Sequence, residues 1–433
     1  MGYIEEIDNW ISRNSDEILQ TLSELIQIKT VNQPPGGNEK PGQEYLYNKI
    51  RSYIPEKDID IFEIDDIKEI REHPLFFPTV EGKAKDYKGR PNIIAKINGL
   101  TGYRSLSFSG HMDVMPVYNN KWNVFADPFS GQIKDGKMYG RGSMDMKSGT
   151  LAGFMALKCI KDLGIDLKGD IYAESVVDEE NGGTNGTVAA RLRNPGIDFA
   201  ILPEPSGLVS GIETIGGSDW KVSVNVGGPG GFGFEQELAN PVYRLSKIGI
   251  ALEKYDNKLK QIKAPDTYTE EQFIRLLTFQ IYSGGNNYTE SGSVPLSGHI
   301  YFWFEAFAGT TEEEYRKDFL DFMRFELEKY EEFKNDFPKF ETVIRFLGGH
   351  RTKLAHPAMQ SIRKAYSELG LKYTERGLGI ACDAFAFRGT CNTDVVVLGP
   401  EGGNAHGTDE WVNIKSFFDL IKIMVLTAID YCG

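Results

Sequence analysis

Apolar positions recur at helical spacing early in the chain. Ile18, Leu19, Leu22, Leu25 and Ile26 share one face, and Asn14 or Ser15 stands where such a helix is capped. The stretch VNQPPGGNEKPG (31–42) breaks both periodicities with Pro and Gly and reads as a loop. Short apolar runs follow and predict strands: NIIAKI (92–97), SLSFSG (105–110), DIYAESVV (170–177), DFAIL (198–202) and DVVVLG (394–399). Helical stretches separate several of them, notably GTLAGFMALKCIKDL (149–163), with Leu151, Phe154, Met155 and Ile160 at its apolar positions. Strands alternating with helices predict an α/β fold with a central mixed, mostly parallel sheet covered on both faces.

The middle of the chain follows another rhythm. WKVSVNV (220–226) alternates as a strand. Asn240 is placed to cap a helix whose first position is Pro241, with Val242, Leu245, Ile248 and Leu252 as its stripe. An aromatic strand, GHIYFWFEAF (298–307), precedes a charged helix over 311–333. Tyr315, Phe319, Phe322, Met323 and Phe325 are the apolar positions of that helix, and Thr311 with Glu314 forms a capping box. Two helices on a small sheet, with no acid-plus-histidine cluster of their own, predict an inserted α+β domain over 217–350. The first domain is then built from 1–216 and 351–433.

Bulk properties narrow the function classes. The 433 residues carry a net charge of −14, which disfavours nucleic acid and anionic membrane as partners because phosphate binding needs clustered Lys and Arg. The four cysteines, Cys159, Cys382, Cys391 and Cys432, form no C-x-x-C pair, so thiolate zinc is not expected. The N-terminal MGYIEEIDNW lacks the layout of a signal peptide, and the most apolar run, FFDLIKIMVLTAI (417–429), carries Asp419 and Lys422 and reads as an amphipathic helix. A cytoplasmic protein acting on a small-molecule substrate is the expectation.

Acids and histidines fall where strands end. His111 and Asp113 follow one apolar run, Asp178, Glu179 and Glu180 a second, Glu204 a third, and His406 lies in the loop after a fourth. In open α/β sheets ligand sites lie outside the carboxyl ends of the strands. Asp145, in GRGSMDMKSG just before a helix, is placed to join them. Alone, an H-x-D pair or a DEE run is an ordinary polar turn; the order and context of the whole set carry the reading. Two histidines and three carboxylates, His111, Asp145, Glu180, Glu204 and His406, suit Zn²⁺, and also Co²⁺ or Mn²⁺. Five donors exceed one tetrahedral site with an open position and fit two divalent ions sharing a carboxylate. Asp113 is placed to accept the His111 N–H, and Glu179, beside a ligand, to move a proton from water to a leaving amine.

The strings SGHMDVMP, YGRGSMDMKSG, VVDEENGG, LPEPSG and GPEGGNAHGTDEW together resemble the M20 metallopeptidase family. The resemblance implies a catalytic α/β domain with a dinuclear, usually zinc, site and an inserted lid that often forms a homodimer. It implies that Asp145 bridges the ions, that His111 and Glu204 complete one shell, and that Glu180 and His406 complete the other. Glu179 is then the general base, Asp113 orients His111, and the Asp145–Met146 peptide is cis. The segment VNVGGPGGFGFEQELANPVYRL resembles the lid of the desuccinylase and deacetylase branch.

Two departures from that pattern matter. Alignment on Asn240-Pro241-Val242 puts Gly231 where relatives carry a lid His that reaches the developing oxyanion, and none of the six histidines lies nearby. Losing one such donor typically costs on the order of a hundred- to a thousand-fold in turnover. In GIACDAFAFRG, Phe385 stands where relatives often have a carboxylate-binding Arg. Exchange of a planar bidentate clamp for an aromatic ring points to a less acidic substrate, unless Arg345, Arg351 or Arg388 does the holding. The leading expectation is a hydrolase that deacylates an N-acyl amino acid or related small amide. The alternatives are a C–N hydrolase acting on a formamide or aromatic amine, a dipeptidase, and a catalytically silent metal-binding protein; an intact Glu179 speaks against the last.

Overall fold

The computed structural model describes residues 3–118, 121–182, 184–226, 240–284 and 294–433. The chain divides into two compact units, one of Met1–Ile212, Arg351–Arg376 and Cys382–Gly433, the other of Glu213–His350 and Gly377–Ala381. The short return at 377–381 has no counterpart in the sequence reading. It is tied within the second unit by the Gly377 N–H donating to the Thr267 carbonyl at 2.8 Å. A side chain at Gly377 would meet the Tyr268 ring at 2.5 Å, so only glycine admits that approach.

In the first unit, Asp170–Val176, Ser105–His111, Phe199–Leu202 and Asp394–Val397 lie side by side and run parallel. Antiparallel strands flank this core, with Pro91–Ile97 and then Ile59–Glu63 on one side and Gly211 paired to Val397 on the other. The sheet is therefore mixed, with its parallel strands at the centre. The alternation of side chains sorts into two cores. Ile93, Ala95, Ile171 and Ala173 pack with helices Ile4–Gln27, Ser148–Asp162, Pro357–Glu368 and Ile414–Cys432. Ile94, Tyr172 and Val176 pack with Val188, Ala189 and Ala190 of helix Asn185–Arg193.

Helix Ile4–Gln27 has Tyr3 at its N-cap and so starts well before either Asn14 or Ser15 would place it. Its stripe already includes Ile7, Trp10 and Ile11, and Asn14 sits mid-helix with its amide donating to the Trp10 carbonyl. The expected loop over 31–42 is shorter than read, because helix Lys40–Ile50 begins inside it with proline in its first turn, where a missing N–H costs nothing.

The second unit is a four-stranded antiparallel sheet in the order Leu276–Ser283, Ser297–Ala306, Gly216–Asn225, Lys339–Thr342. Ile300, Phe302 and Phe304 alternate with half-buried Tyr301 and Trp303, and the buried set packs with helices Pro241–Leu259 and Glu312–Leu327. Both expected caps are made: Asn240 accepts from the Val242 N–H, and Thr311 and Glu314 bond reciprocally. The charged helix stops at Leu327 rather than 333, and a separate turn, Glu331–Asn335, follows. Tyr315, Phe319 and Met323, four residues apart, face the sheet, whereas Phe325 is 67% exposed. Ten residues past Tyr315, at about 100° each, carry Phe325 off that stripe. Phe319→Ala is expected to cost about 3–5 kcal/mol in urea unfolding, while Phe325→Ala stays within about 0.5 kcal/mol. Equal losses would contradict this assignment of faces.

Candidate metal centre

The four parallel strands deliver their carboxyl ends to one rim. His111 is the last residue of its strand, Asp178, Glu179 and Glu180 follow Val176, Glu204 lies two residues beyond Leu202, and His406 sits in the loop after Val397. Asp145 lies in the turn Ser143–Lys147 that leads into helix Ser148–Asp162, and the Asp145–Met146 peptide is cis. Gly149, at the start of that helix, lets it approach the strand end closely: a Cβ there would stand 2.1 Å from the Pro203 carbonyl oxygen.

The side chains converge. Asp145 directs Oδ1 to His111 Nε2 at 3.3 Å and Oδ2 to His406 Nε2 at 3.2 Å. His111 Nε2 also lies 3.7 Å from Glu179 Oε2 and 3.7 Å from Glu204 Oε1, and His406 Nε2 lies 2.8 Å from Glu180 Oε2. Burial and the negative charge of Asp383 push the Glu179 carboxyl well above its ordinary range. Burial and Asp145 do the same to Glu204, and burial raises Glu180. Burial opposes protonation of His111, yet Asp145, Glu204, Glu179 and Asp113 together hold its pKa well above the usual value. Acids crowded this closely in a dry site resist ionising together, and a cation relieves them.

The donor set fits divalent cations. His111 Nε2 is buried and makes no hydrogen bond of good geometry, although three carboxylates face it. Two groups of donor atoms each lie within 4.8 Å of one another: His111, Glu179 and Glu204, and His111, Asp145 and Glu180. His406 reaches the second group through Glu180 and Asp145. Nitrogen and oxygen donors in two adjoining groups around one two-faced carboxylate make a plausible dinuclear site.

Comparison with known proteins agrees with this arrangement. Residues 107–430 match the model of peptidase family M20/M25/M40. The chain belongs to that family. Within it, the chain is 29% identical over 211 residues (48% of this chain, 42% of the relative) to N-formyl-4-amino-5-aminomethyl-2-methylpyrimidine deformylase of Halalkalibacterium halodurans. It is 35% identical over 176 residues (38% of this chain, 44% of the relative) to succinyl-diaminopimelate desuccinylase of Methylobacterium radiotolerans. The chain thus spans less than half the length of the curated relatives it matches. Human carnosine dipeptidase 1 shares the fold, with a TM-score of 0.74 over 100% of this chain and 99% of that one at 17% identity.

Asp113 stands beside this M20 centre in a different posture from the one read from the sequence. His111 Nδ1 bonds the Asp113 main-chain carbonyl at 2.9 Å, while the nearer carboxylate oxygen is 3.7 Å away. The carboxylate instead accepts the main-chain N–H groups of Glu179 and Glu180 at 2.9 and 3.0 Å, and the Asn32 amide at 2.8 Å. Asp113 therefore holds the turn that carries both glutamates. Gly231 lies outside the described residues. Phe385 is half-buried in the first turn of helix Ala384–Cys391, two residues past Asp383.

The sequence reading missed other supports of the centre. Asp178 adopts φ +64°, a conformation costing non-glycine residues on the order of 1–3 kcal/mol. It is held by Lys85 at 3.1 and 3.0 Å, by Tyr87 at 2.7 Å and by Asn185 at 3.3 Å, all buried. Behind them Arg90 makes a two-pronged bond to buried Glu39 at 2.8 and 2.5 Å. On the other flank, Glu410 and Arg141 are also buried, and Glu410 accepts main-chain N–H groups of the Asp145 turn. Arg141 and Glu410 stand inside motif strings and could have been noticed there; Lys85 and Tyr87 stand in no pattern. Lys85→Met leaves the buried Asp178 carboxylate with only the more distant Arg90, 3.9 Å away, as a cation, so a loss of about 3–5 kcal/mol in urea unfolding is expected. A loss below 1 kcal/mol would show that the hydroxyl and amides suffice.

Proposed function

We propose that this chain is a two-metal hydrolase that cleaves an amide-type C–N bond, deacylating an N-acyl amino acid or related small amide. The observation that carries the reading is the Asp145 carboxylate, which turns one oxygen to each of two imidazoles. His111 and Glu204 would hold one ion, Glu180 and His406 the other, and Asp145 would serve both. The donor set favours Zn²⁺, with Co²⁺ or Mn²⁺ as substitutes. Such ions, when bound, supply Lewis acidity to the scissile carbonyl and lower the pKa of water. Glu179 takes the proton from the attacking water and delivers it to the leaving nitrogen. Asp113 keeps Glu179 and Glu180 in place through their main-chain N–H groups.

A second reading, hydrolysis of a formamide on an aromatic amine, is favoured by Phe385 in place of a carboxylate-binding Arg. It is also favoured by likeness to a deformylase whose name carries an N-formyl aminopyrimidine. Turnover of N-acetyl, N-succinyl and N-formyl amino acids, dipeptides and an N-formyl aminomethylpyrimidine with each metal added separates the readings. Metal-dependent turnover of at least one substrate is expected, and Glu179→Ala should lower it at least a hundred-fold while keeping both ions. Two ions bound with no turnover on the whole panel would point to a silent binder.

The reading includes a homodimer formed through the second unit and a cytoplasmic location. No helix among the described residues is long and apolar enough to cross a membrane, and all four cysteines are free thiols. Strand Leu276–Ser283 is the outer strand of its sheet and exposes Leu277, Phe279 and Ile281. A long apolar edge invites pairing with another strand. Sedimentation at micromolar concentration should give a dimer mass, and Phe279→Glu with Ile281→Glu a monomer; a monomeric unsubstituted chain would end the dimer reading.

A further inference from the structure

We propose that Arg141 and Glu410 are a positioning pair that sets the occupancy of one ion selectively, the one held by Glu180, His406 and Asp145. This rests on the two-metal reading above. Glu410 is wholly buried, and its Oε1 accepts three main-chain N–H groups of one turn: Gly142 at 2.9 Å, Met144 at 3.0 Å and Asp145 at 3.2 Å. Gly142 carries φ +83°, and a Cβ there would stand 2.5 Å from Val114 Cγ1, so the turn has little room to rearrange. The other oxygen, Oε2, accepts from Arg141 Nη1 at 2.5 Å. Arg141 Nη2 then donates to the His406 carbonyl at 2.9 Å.

One continuous chain of hydrogen bonds therefore runs from the main chain of Asp145, through a carboxylate and a guanidinium, to the main chain of His406. The fork of Arg satisfies both acceptors at once, which a point-charge ammonium cannot. His406 needs this support. It has φ +59°, its side chain is 49% exposed, and its loop belongs to no long strand. His111, by contrast, ends a fully buried strand and is fixed by its own ring bond to Asp113. Glu204 lies two residues beyond the central strand Phe199–Leu202. Arg141 touches neither His111 nor Glu204, and as long as Glu410 Oε1 keeps its hold on the Asp145 turn, breaking the guanidinium link falls on the ion that needs His406. Partners that orient metal ligands typically contribute 10–100-fold to affinity.

The test is calorimetric titration of the metal-free full-length protein with Zn²⁺, alongside the visible spectrum of the Co²⁺-loaded form, which reports coordination geometry. The unsubstituted chain is expected to take up two ions. Arg141→Met is expected to keep one at its original affinity and to weaken the other 10–100-fold, with the Co²⁺ spectrum reduced to that of a single ion. Arg141→Lys should recover only part of the loss. Glu410→Gln keeps an oxygen for the three N–H groups and removes the acceptor for Arg141. It should reproduce the selective loss, and it decides the question if Arg141→Met does not fold. Equal weakening of both ions, or no weakening, in whichever variant folds would overturn the proposal. Fewer than two ions on the unsubstituted chain would instead sink the two-metal reading itself.

Discussion

Repulsion among buried carboxylates is the constraint around which the first unit is organised. Glu179, Glu180, Glu204 and Asp145 stand within a few ångströms of two imidazoles, in a place where isolated charge is expensive. No sheet would gather these groups for its own stability. The parallel strands bring them together because a parallel sheet places all its carboxyl ends on one side. The turns beyond those ends are then immobilised by further acids whose role is to accept main-chain N–H groups. Asp113 does this for the glutamates and Glu410 for Asp145, so the same chemical group serves as donor to a cation and as scaffold.

A second layer of compensation lies deeper. Lys85 and Arg90 neutralise Asp178 and Glu39 out of contact with solvent. Lys147, two residues past Asp145, is also buried and donates to the Leu25 and Ile28 carbonyls at the end of the first helix. The Leu25 carbonyl is among the unpaired acceptors that a helix leaves at its C-terminus, and burial lowers the Lys147 pKa to about 7. The N-terminal helix is thereby joined to the turn that carries Asp145. The second unit is built differently: among its described residues the core is largely aromatic, buried Glu305 pairs with Arg275, and helices Pro241–Leu259 and Glu312–Leu327 begin with side-chain caps.

Legibility in the sequence followed periodicity and strand ends. The five strands named from apolar runs, the helix over 149–163 and both caps of the second unit were readable because each is a local pattern. Asn14 misled because a polar residue on the outer face of a helix looks like a cap when the turn before it is also amphipathic. Phe325 misled because composition was weighed above angle. Seven candidate side chains were picked from the sequence, and the fold brings six of them into one cluster, with the Asp113 carboxylate turned to the main chain behind it. What could not be read was the support: Asn32, Lys85 and Tyr87 meet Asp178 and Asp113 from segments far apart in the chain, and their partners are set by tertiary closure alone.

The order of the donors along the chain has a thermodynamic consequence. Glu204 and His406 are 202 residues apart (406 − 204), and the whole of Glu213–His350 lies between them. Ions bound across these positions would join two parts of the first unit that stand on either side of the second in the chain. Forming such a site means closing that whole span, at an entropic cost that grows only with the logarithm of its length. Binding would therefore be coupled to assembly of the complete first unit, and unfolding would release the ions.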